Sequence, residues 1–247
     1  MGWLLRSMSI MSEDRFGIRA FVLCGGLGTR LRSVVSDRPK SMALVSGVPF
    51  LELILRQLRQ QGVSEVVLGT GYKAEQIEEY FQNGAALDLK IRYSQEREPL
   101  GTGGALKLAE SFLHDPILVL NGDSFVEWNL VAMRELSVKK DASIAMVLQA
   151  VPDVSRYGSV ALDAEGRVTG FVEKGSRTGP GLINAGVYLL RKEIVRDLAA
   201  GKPISLEREV FPQFLGRNFY GIISHGTFID IGIPADLERA QTVLRSN

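Results

Sequence analysis

The segment Ala20-Phe21-Val22-Leu23-Cys24-Gly25-Gly26-Leu27-Gly28-Thr29-Arg30-Leu31 passes from unbroken apolar or small residues into a cluster of glycines. A short apolar run bounded by turn residues predicts a buried strand, and the glycines predict a sharp, bare turn at its end. Backbone N–H groups in such a turn can approach phosphate oxygens closely, and Arg30 with the nearby Pro39-Lys40 supplies the positive charge a polyphosphate needs. The ligand this chemistry suits is a nucleotide, with Leu23, Gly25, Gly26, Gly28, Thr29, Arg30 and Lys40 as its candidate contacts.

Spacing excludes the two commonest phosphate loops. G-x-x-x-x-G-K-[ST] has no match, and G-x-G-x-x-G fails because Gly26-Leu27-Gly28 is followed by Thr29-Arg30-Leu31. Outward from the turn, strand and helix patterns alternate. A helix is predicted over Phe50–Leu58, a strand over Val63–Leu68, a helix over Ala74–Phe81, a strand over Lys90–Tyr93, a helix over Gly103–Phe112 and a strand over Ile117–Leu120. Strands separated by helices imply right-handed crossovers and a mostly parallel sheet, with ligands at the carboxyl ends of the strands. From Ser143 the texture turns to strands, at Ser143–Val151, Gly158–Leu162, Val168–Glu173 and Leu182–Leu190, with a hairpin turn at Asp163-Ala164-Glu165-Gly166. Helical patterns return at Lys192–Ala200, Ser205–Phe214 and Pro234–Arg245.

Composition narrows the class. With 29 basic and 28 acidic residues the net charge is +1, so no global field draws the chain to nucleic acid or to an anionic membrane. Its single cysteine, Cys24, rules out an internal disulfide and suits a reducing, cytoplasmic setting. The apolar start Met1-Gly2-Trp3-Leu4-Leu5 is cut short by Arg6, unlike a secretory signal, and no stretch approaches the ~18 apolar residues of a membrane span. No heptad or separate interface segment stands out, which leaves a homo-oligomer open.

The string G-G-x-G-T-R-L followed by Pro-Lys resembles the signature of the sugar-phosphate nucleotidyltransferases, which make nucleoside-diphosphate sugars from a nucleoside triphosphate and a sugar 1-phosphate. The resemblance spans roughly Ile18 to Leu244. It implies a Rossmann-like α/β fold, a mostly parallel mixed sheet flanked by helices with a small antiparallel sugar-binding subregion. Residues 1–17 are then a loose extension before a single domain, 18–247, whose nucleotide part is about 18–150 and whose sugar part is about 151–247.

Site residues follow from the residues and from the resemblance together. Asn121-Gly122-Asp123 ends a strand, which places Asp123 at a carboxyl end facing the glycine turn; Asp230 follows the run Thr227-Phe228-Ile229. Each could be a turn or cap aspartate on its own account. The resemblance makes the pair the holders of a divalent cation, expected to be Mg²⁺ from its preference for oxygen ligands. Leu100-Gly101-Thr102-Gly103-Gly104 resembles the base-binding segment, with one of Gln95, Glu96 or Glu98 placed to read a base edge, and Gln95, Gly101, Thr102 and Gly122 join the nucleotide site. Val172-Glu173-Lys174 resembles the V-E-K element, in which Glu173 accepts sugar hydroxyls and Lys174 meets the sugar phosphate. Asn184-Ala185-Gly186-Val187-Tyr188 resembles N-x-G-x-Y, and Tyr157-Gly158 the Y-G that admits a sugar; Thr70, Gly71 and Lys73 add to the same rim. Arg30, Lys40, Asp123 and Lys174 are thus the expected catalytic set. Ser41 and Cys24 depart from the Pro or Ala and the Ala usual after and before the motif residues.

Arg32–Lys40, Gly47–Leu51 and Gly69–Tyr72 resemble most closely the guanylyltransferases acting on D-glycero-α-D-manno-heptose 1-phosphate. Uridylyl transfer to an N-acetylated sugar 1-phosphate and a non-catalytic sugar-nucleotide sensor are the alternatives, since one scaffold serves several bases and sugars.

Overall fold

The apolar run before the glycine turn forms β1 (Arg19–Leu23), in a computed structural model that describes residues 17–26, 28, 31, 34–172 and 175–244. In chain order there follow β2 (Leu44–Val45), β3 (Val48–Pro49), α1 (Phe50–Gln60), β4 (Glu65–Thr70), α2 (Ala74–Phe81), β5 (Lys90–Gln95) and α3 (Gly101–Leu108). Then come β6 (Ile117–Asn121), β7 (Ser124–Val126), α4 (Leu130–Lys140), β8 (Ile144–Val151), β9 (Ser159–Leu162) and β10 (Val168–Val172). The last are β11 (Gly181–Leu190), α5 (Lys192–Arg196), β12 (Phe219–Ser224), β13 (Phe228–Asp230) and α6 (Pro234–Val243).

Seven strands make one sheet in the order β12-β8-β11-β6-β1-β4-β5. β1 pairs in parallel with β4 and β6, and β4 with β5, so Leu23, Thr70, Gln95 and Asn121 end the strands on one rim. β11 runs antiparallel to both β6 and β8. Strands from the expected sugar part therefore join the central sheet, while β9–β10, β7–β13 and β2–β3 form small antiparallel pairs. The Asp163 to Gly166 hairpin turn joins β9 to β10, with Asp163 N donating to Arg167 O at 3.0 Å.

Alternation along the strands builds two cores. Ala20, Val22, Leu118 and Leu120 face one side, where Phe50, Ile54 and Leu58 of α1, Ile77 of α2 and Met133 of α4 pack. Phe21, Ile117 and Val119 face the other, against Leu106 of α3, Val195 of α5 and the Phe211–Phe219 contact. Burying both faces is what a near-continuous apolar strand demands.

One helix is added and two expectations change. The sequence pattern assigns no element to Leu130–Lys140, where α4 forms, capped by Asn129 Oδ1, which accepts from Ala132 N at 3.0 Å; exposed Val131 and Val138 spread its apolar residues around the helix and hide its periodicity. The helix expected over 192–200 ends at Arg196, and that over 205–214 is a π turn, Leu206–Val210, running into a 3₁₀ turn, Phe211–Phe214.

Candidate active site

Where β1, β4 and β6 end, the chain forms a cavity of about 370 Å³. Cys24 N donates to Gly69 O at 2.8 Å and Gly122 N to Leu23 O at 2.9 Å, so the exits of three strands are laced together behind it. Leu23, Gly25, Gly26, Gly28, Lys40, Gly101, Thr102, Gly122 and Asp123, all expected to bind or act there, line its wall. Thr29, Arg30, Glu173 and Lys174 lie outside the described residues.

The charged centre is built by Lys40. Its Nζ donates to Asp123 Oδ2 at 2.7 Å and stands 3.7 Å from Asp230 Oδ1. The two aspartates, far apart in the chain, meet because β13 pairs with β7 so that Asp230 lies opposite Ser124, and Ile231 N donates to Asp123 O at 3.0 Å. Lys40 itself follows Pro39 into a 3₁₀ turn and is brought under the glycine loop at Gly28. Gly28 has φ +56°, and a Cβ there would stand 2.9 Å from Lys40 Cβ, so both backbone and space require glycine. Cys24 is buried beside this centre. Burial foremost, and then the charge of Asp123, pushes its thiol far above the usual range, which leaves it without nucleophilic character.

On the other wall, Glu96 rather than Gln95 lines the cavity. Glu96 N donates to Thr70 O at 2.9 Å, extending the β4–β5 pairing by one residue, and strand alternation turns neighbouring side chains to opposite faces, leaving Gln95 exposed. Glu96 Oε2 accepts from Leu100 N at 3.0 Å, and burial holds its carboxyl above the usual carboxylate range against the lowering effect of that bond. The Gly101–Gly104 segment has a different reason for its glycines than room for a base. A Cβ on Gly101 would meet Ile204 O at 2.6 Å and one on Gly104 would meet Lys202 O at 2.6 Å. The chain at 202–204 presses on the start of α3, with Ile204 N donating to Leu100 O and Gly103 N to Ile204 O, each at 2.8 Å.

The expected sugar residues that are described, Thr70, Gly71, Lys73, Tyr157, Gly158 and Asn184, sit around, not on, this wall. Tyr157 packs edge-on against Phe228 of β13, two residues from Asp230, with centroids 5.8 Å apart, and Gly158 follows it. Asn184 Nδ2 donates to Tyr188 Oη at 2.8 Å, and Asn184 Oδ1 accepts from Gly186 N at 2.9 Å. Lys73 Nζ donates to Ser36 O at 3.2 Å, holding the loop before Lys40, while Thr70 is buried and a Cβ on Gly71 would approach Gly25 O at 3.0 Å.

A family model described as nucleotidyl transferase matches residues 19–247. The chain belongs to this nucleotidyl transferase family. Among its relatives, a D-glycero-alpha-D-manno-heptose 1-phosphate guanylyltransferase of Campylobacter jejuni is 42% identical over 219 residues, covering 89% of this chain and 96% of that one. One of the same name from Aneurinibacillus thermoaerophilus is 42% identical over 230 residues, covering 92% and 99%. The crystal structure of HddC from Yersinia pseudotuberculosis complexed with GMP-PN superposes with a TM-score of 0.82 at 38% identity, covering 92% of this chain and 99% of that one.

The donor set of this nucleotidyl transferase fits a hard divalent cation. Asp123 Oδ2 and Asp230 Oδ1 already converge on one cationic atom, the Lys40 ammonium. Among the described residues no group of three or more His, Cys, Asp or Glu could hold a metal. Two carboxylates with the remaining positions left to phosphates and water is the habit of Mg²⁺. No helix among the described residues is long and apolar enough to cross a membrane.

Proposed function

We propose that this nucleotidyl transferase joins GTP and D-glycero-α-D-manno-heptose 1-phosphate to give the GDP-sugar and pyrophosphate. The convergence of Lys40 on Asp123 and Asp230 inside the cavity carries the chemistry, and the 42% identity to guanylyltransferases of that specificity supports the choice of substrates.

In the reaction an oxygen of the sugar phosphate forms a bond to the α-phosphorus of GTP as the bond to the β-phosphate oxygen breaks and pyrophosphate leaves. The attacking phosphate is largely ionised at pH 7, so no strong base is needed, and neutralising charge is the catalytic task. Lys40 meets the triphosphate from beside the aspartates, and Arg30 and Lys174 are the further cations proposed for the triphosphate and the sugar phosphate. A divalent cation such as Mg²⁺, held by Asp123 and Asp230, would supply further neutralisation at the phosphates. The glycine turn at Gly25, Gly26 and Gly28 receives the nucleotide, and Glu96 accepts from the N–H donors of guanine, which adenine, cytosine and uracil do not present in the same arrangement. Tyr157, Gly158, Glu173 and Asn184, in the part from about 151, receive the heptose.

Incubating the protein with Mg²⁺, the heptose 1-phosphate and each nucleoside triphosphate in turn tests this. Pyrophosphate release is expected with GTP, with a product of GDP-heptose mass. Release with UTP and an N-acetylated sugar phosphate but not with GTP would replace the substrates, and release with none would remove the activity.

A further inference from the structure

The segment from Lys202 to Val210 contributes no residue to the cavity wall among those described, yet it is tied to both halves of the site. At its centre is Glu207. Its Oε2 accepts from Thr102 Oγ1 at 2.8 Å and from Ser205 Oγ at 3.1 Å, and its Oε1 accepts from Tyr188 Oη at 3.3 Å. Each of these hydroxyls is committed on its other side as well. Thr102 Oγ1 accepts from Leu206 N at 2.8 Å, Ser205 Oγ accepts from Arg208 N at 3.2 Å, and Tyr188 Oη accepts from Asn184 Nδ2 at 2.8 Å. A carboxylate is the one side chain here that can accept from all three without offering a proton of its own. Tyr188 has no exposed surface, so its hydroxyl has no water to fall back on.

The two arms reach different substrates. Thr102 opens α3 on the cavity wall, and the Ile204 backbone grips the same turn. Tyr188 stands on β11 beyond an irregularity in its pairing with β8 between Asn184 and Tyr188, and Gly186 inside that irregularity lies so close that a Cβ would be 2.8 Å from Asn121 Nδ2. Asn121 is two residues from Asp123. The π turn carrying Glu207 is itself an uncommon element that recurs at functional places.

We infer that Glu207 is a positioning residue that sets the nucleotide wall at Thr102 and the acceptor strand at Tyr188 and Asn184 in one register, so that disturbance of either arm is felt by both substrates. This rests on the nucleotidyl transfer read above. The test is steady-state kinetics of the full chain, with KM for GTP and for the heptose 1-phosphate measured in wild type, Tyr188→Phe, Thr102→Val, Glu207→Gln and the Glu207→Gln/Tyr188→Phe double variant. Tyr188→Phe, on the acceptor arm, is expected to raise the KM for GTP several-fold, and Thr102→Val to raise that for the sugar phosphate likewise. Glu207→Gln should raise both by about tenfold, the scale of one charge-assisted hydrogen bond, and adding Tyr188→Phe to it should raise the KM for GTP no further. If each hydroxyl variant moves only the KM of its own substrate, or if Tyr188→Phe acts on GTP as strongly with Gln at 207 as with Glu, the linkage through Glu207 is wrong. Should Glu207→Gln not fold, the crossed effects of Tyr188→Phe and Thr102→Val decide the matter alone. A wild-type protein without turnover on any nucleoside triphosphate overturns the activity and the linkage together, an outcome distinct from normal turnover with uncrossed effects.

Discussion

Lys40 donates to Asp123 at 2.7 Å from a side chain that is only 12% exposed, while Asp123 remains 41% exposed toward the cavity. With Asp230 Oδ1 at 3.7 Å, the ammonium stands between two carboxylates and offsets their repulsion before any substrate arrives. In the proposed reaction the same atom gains a second partner, the phosphate of the nucleotide, in competition with these carboxylates.

Two opposite effects of Lys40→Met follow. Removing a cation that neutralises transferred charge is expected to lower kcat by about 10²–10³-fold. Removing the cation that shields Asp123 and Asp230 is expected to strengthen Mn²⁺ binding in the absence of nucleotide, since a second cation would no longer compete for the pair. Mn²⁺ titration followed by electron paramagnetic resonance, beside steady-state rates, reads both. Weaker Mn²⁺ binding in the variant would mean that Lys40 does not compete with metal.

Asp123→Asn and Asp230→Asn should each remove nearly all turnover, and the double variant should lose little more. Groups that hold one ion fail as a unit, so their effects are far from additive. A chelator should abolish turnover in wild type and Mg²⁺ should restore it. If the losses from the two single variants multiply in the double variant, the aspartates act separately and the shared ion is refuted.

Glu96 gives the pH dependence. Burial raises its carboxyl above the usual range, so the fold favours the protonated form more than the unfolded chain does. Its contribution to stability is accordingly present at low pH and is lost as pH rises through the raised value. Guanine binding runs the other way, because accepting from guanine N–H groups needs the ionised form. The affinity for GTP is expected to fall on acidification with a midpoint above that of an ordinary glutamate, and Glu96→Gln should abolish this limb while weakening GTP by about tenfold. Isothermal titration of GTP across pH checks it; an unchanged profile in the variant would take Glu96 out of base reading.

Local patterns made much of this site legible. The apolar run into Gly25-Gly26 and the strand end at Asn121-Gly122-Asp123 announce their position, because a parallel sheet puts strand exits on one rim. What depends on pairing across the chain was not. Nothing near Asp230 states that β13 lies against β7, and nothing near Lys40 states that it bridges the two aspartates. Gln95 and Glu96 are equally plausible as base readers from composition, and one residue of strand register decides between them. Gly101–Gly104 is legible as a place of close approach, but the neighbour that approaches is the backbone at 202–204. Glu207 has no motif signal at all, since its role is to collect hydroxyls from three separate stretches.

The glycines of the two loops should therefore answer differently to the same substitution. Gly104→Ala would drive a Cβ to 2.6 Å from Lys202 O and 2.9 Å from Leu100 Cβ, contacts that backbone must move to relieve. A cost of about 1–3 kcal/mol is expected, or a fall in Tm of roughly 2–12 °C for a chain of this size. Gly26 lines the same cavity, yet among the described residues a Cβ there meets nothing within 4 Å, and its φ is not positive. Gly26→Ala should leave the unfolding midpoint within about 2 °C of wild type while raising the KM for GTP, because the methyl group occupies space left for phosphate. Thermal unfolding and GTP kinetics on the two variants separate these effects. If Gly26→Ala lowers Tm as much as Gly104→Ala, or leaves GTP kinetics unchanged, then the turn after β1 is a packing device and phosphate sits elsewhere in the cavity.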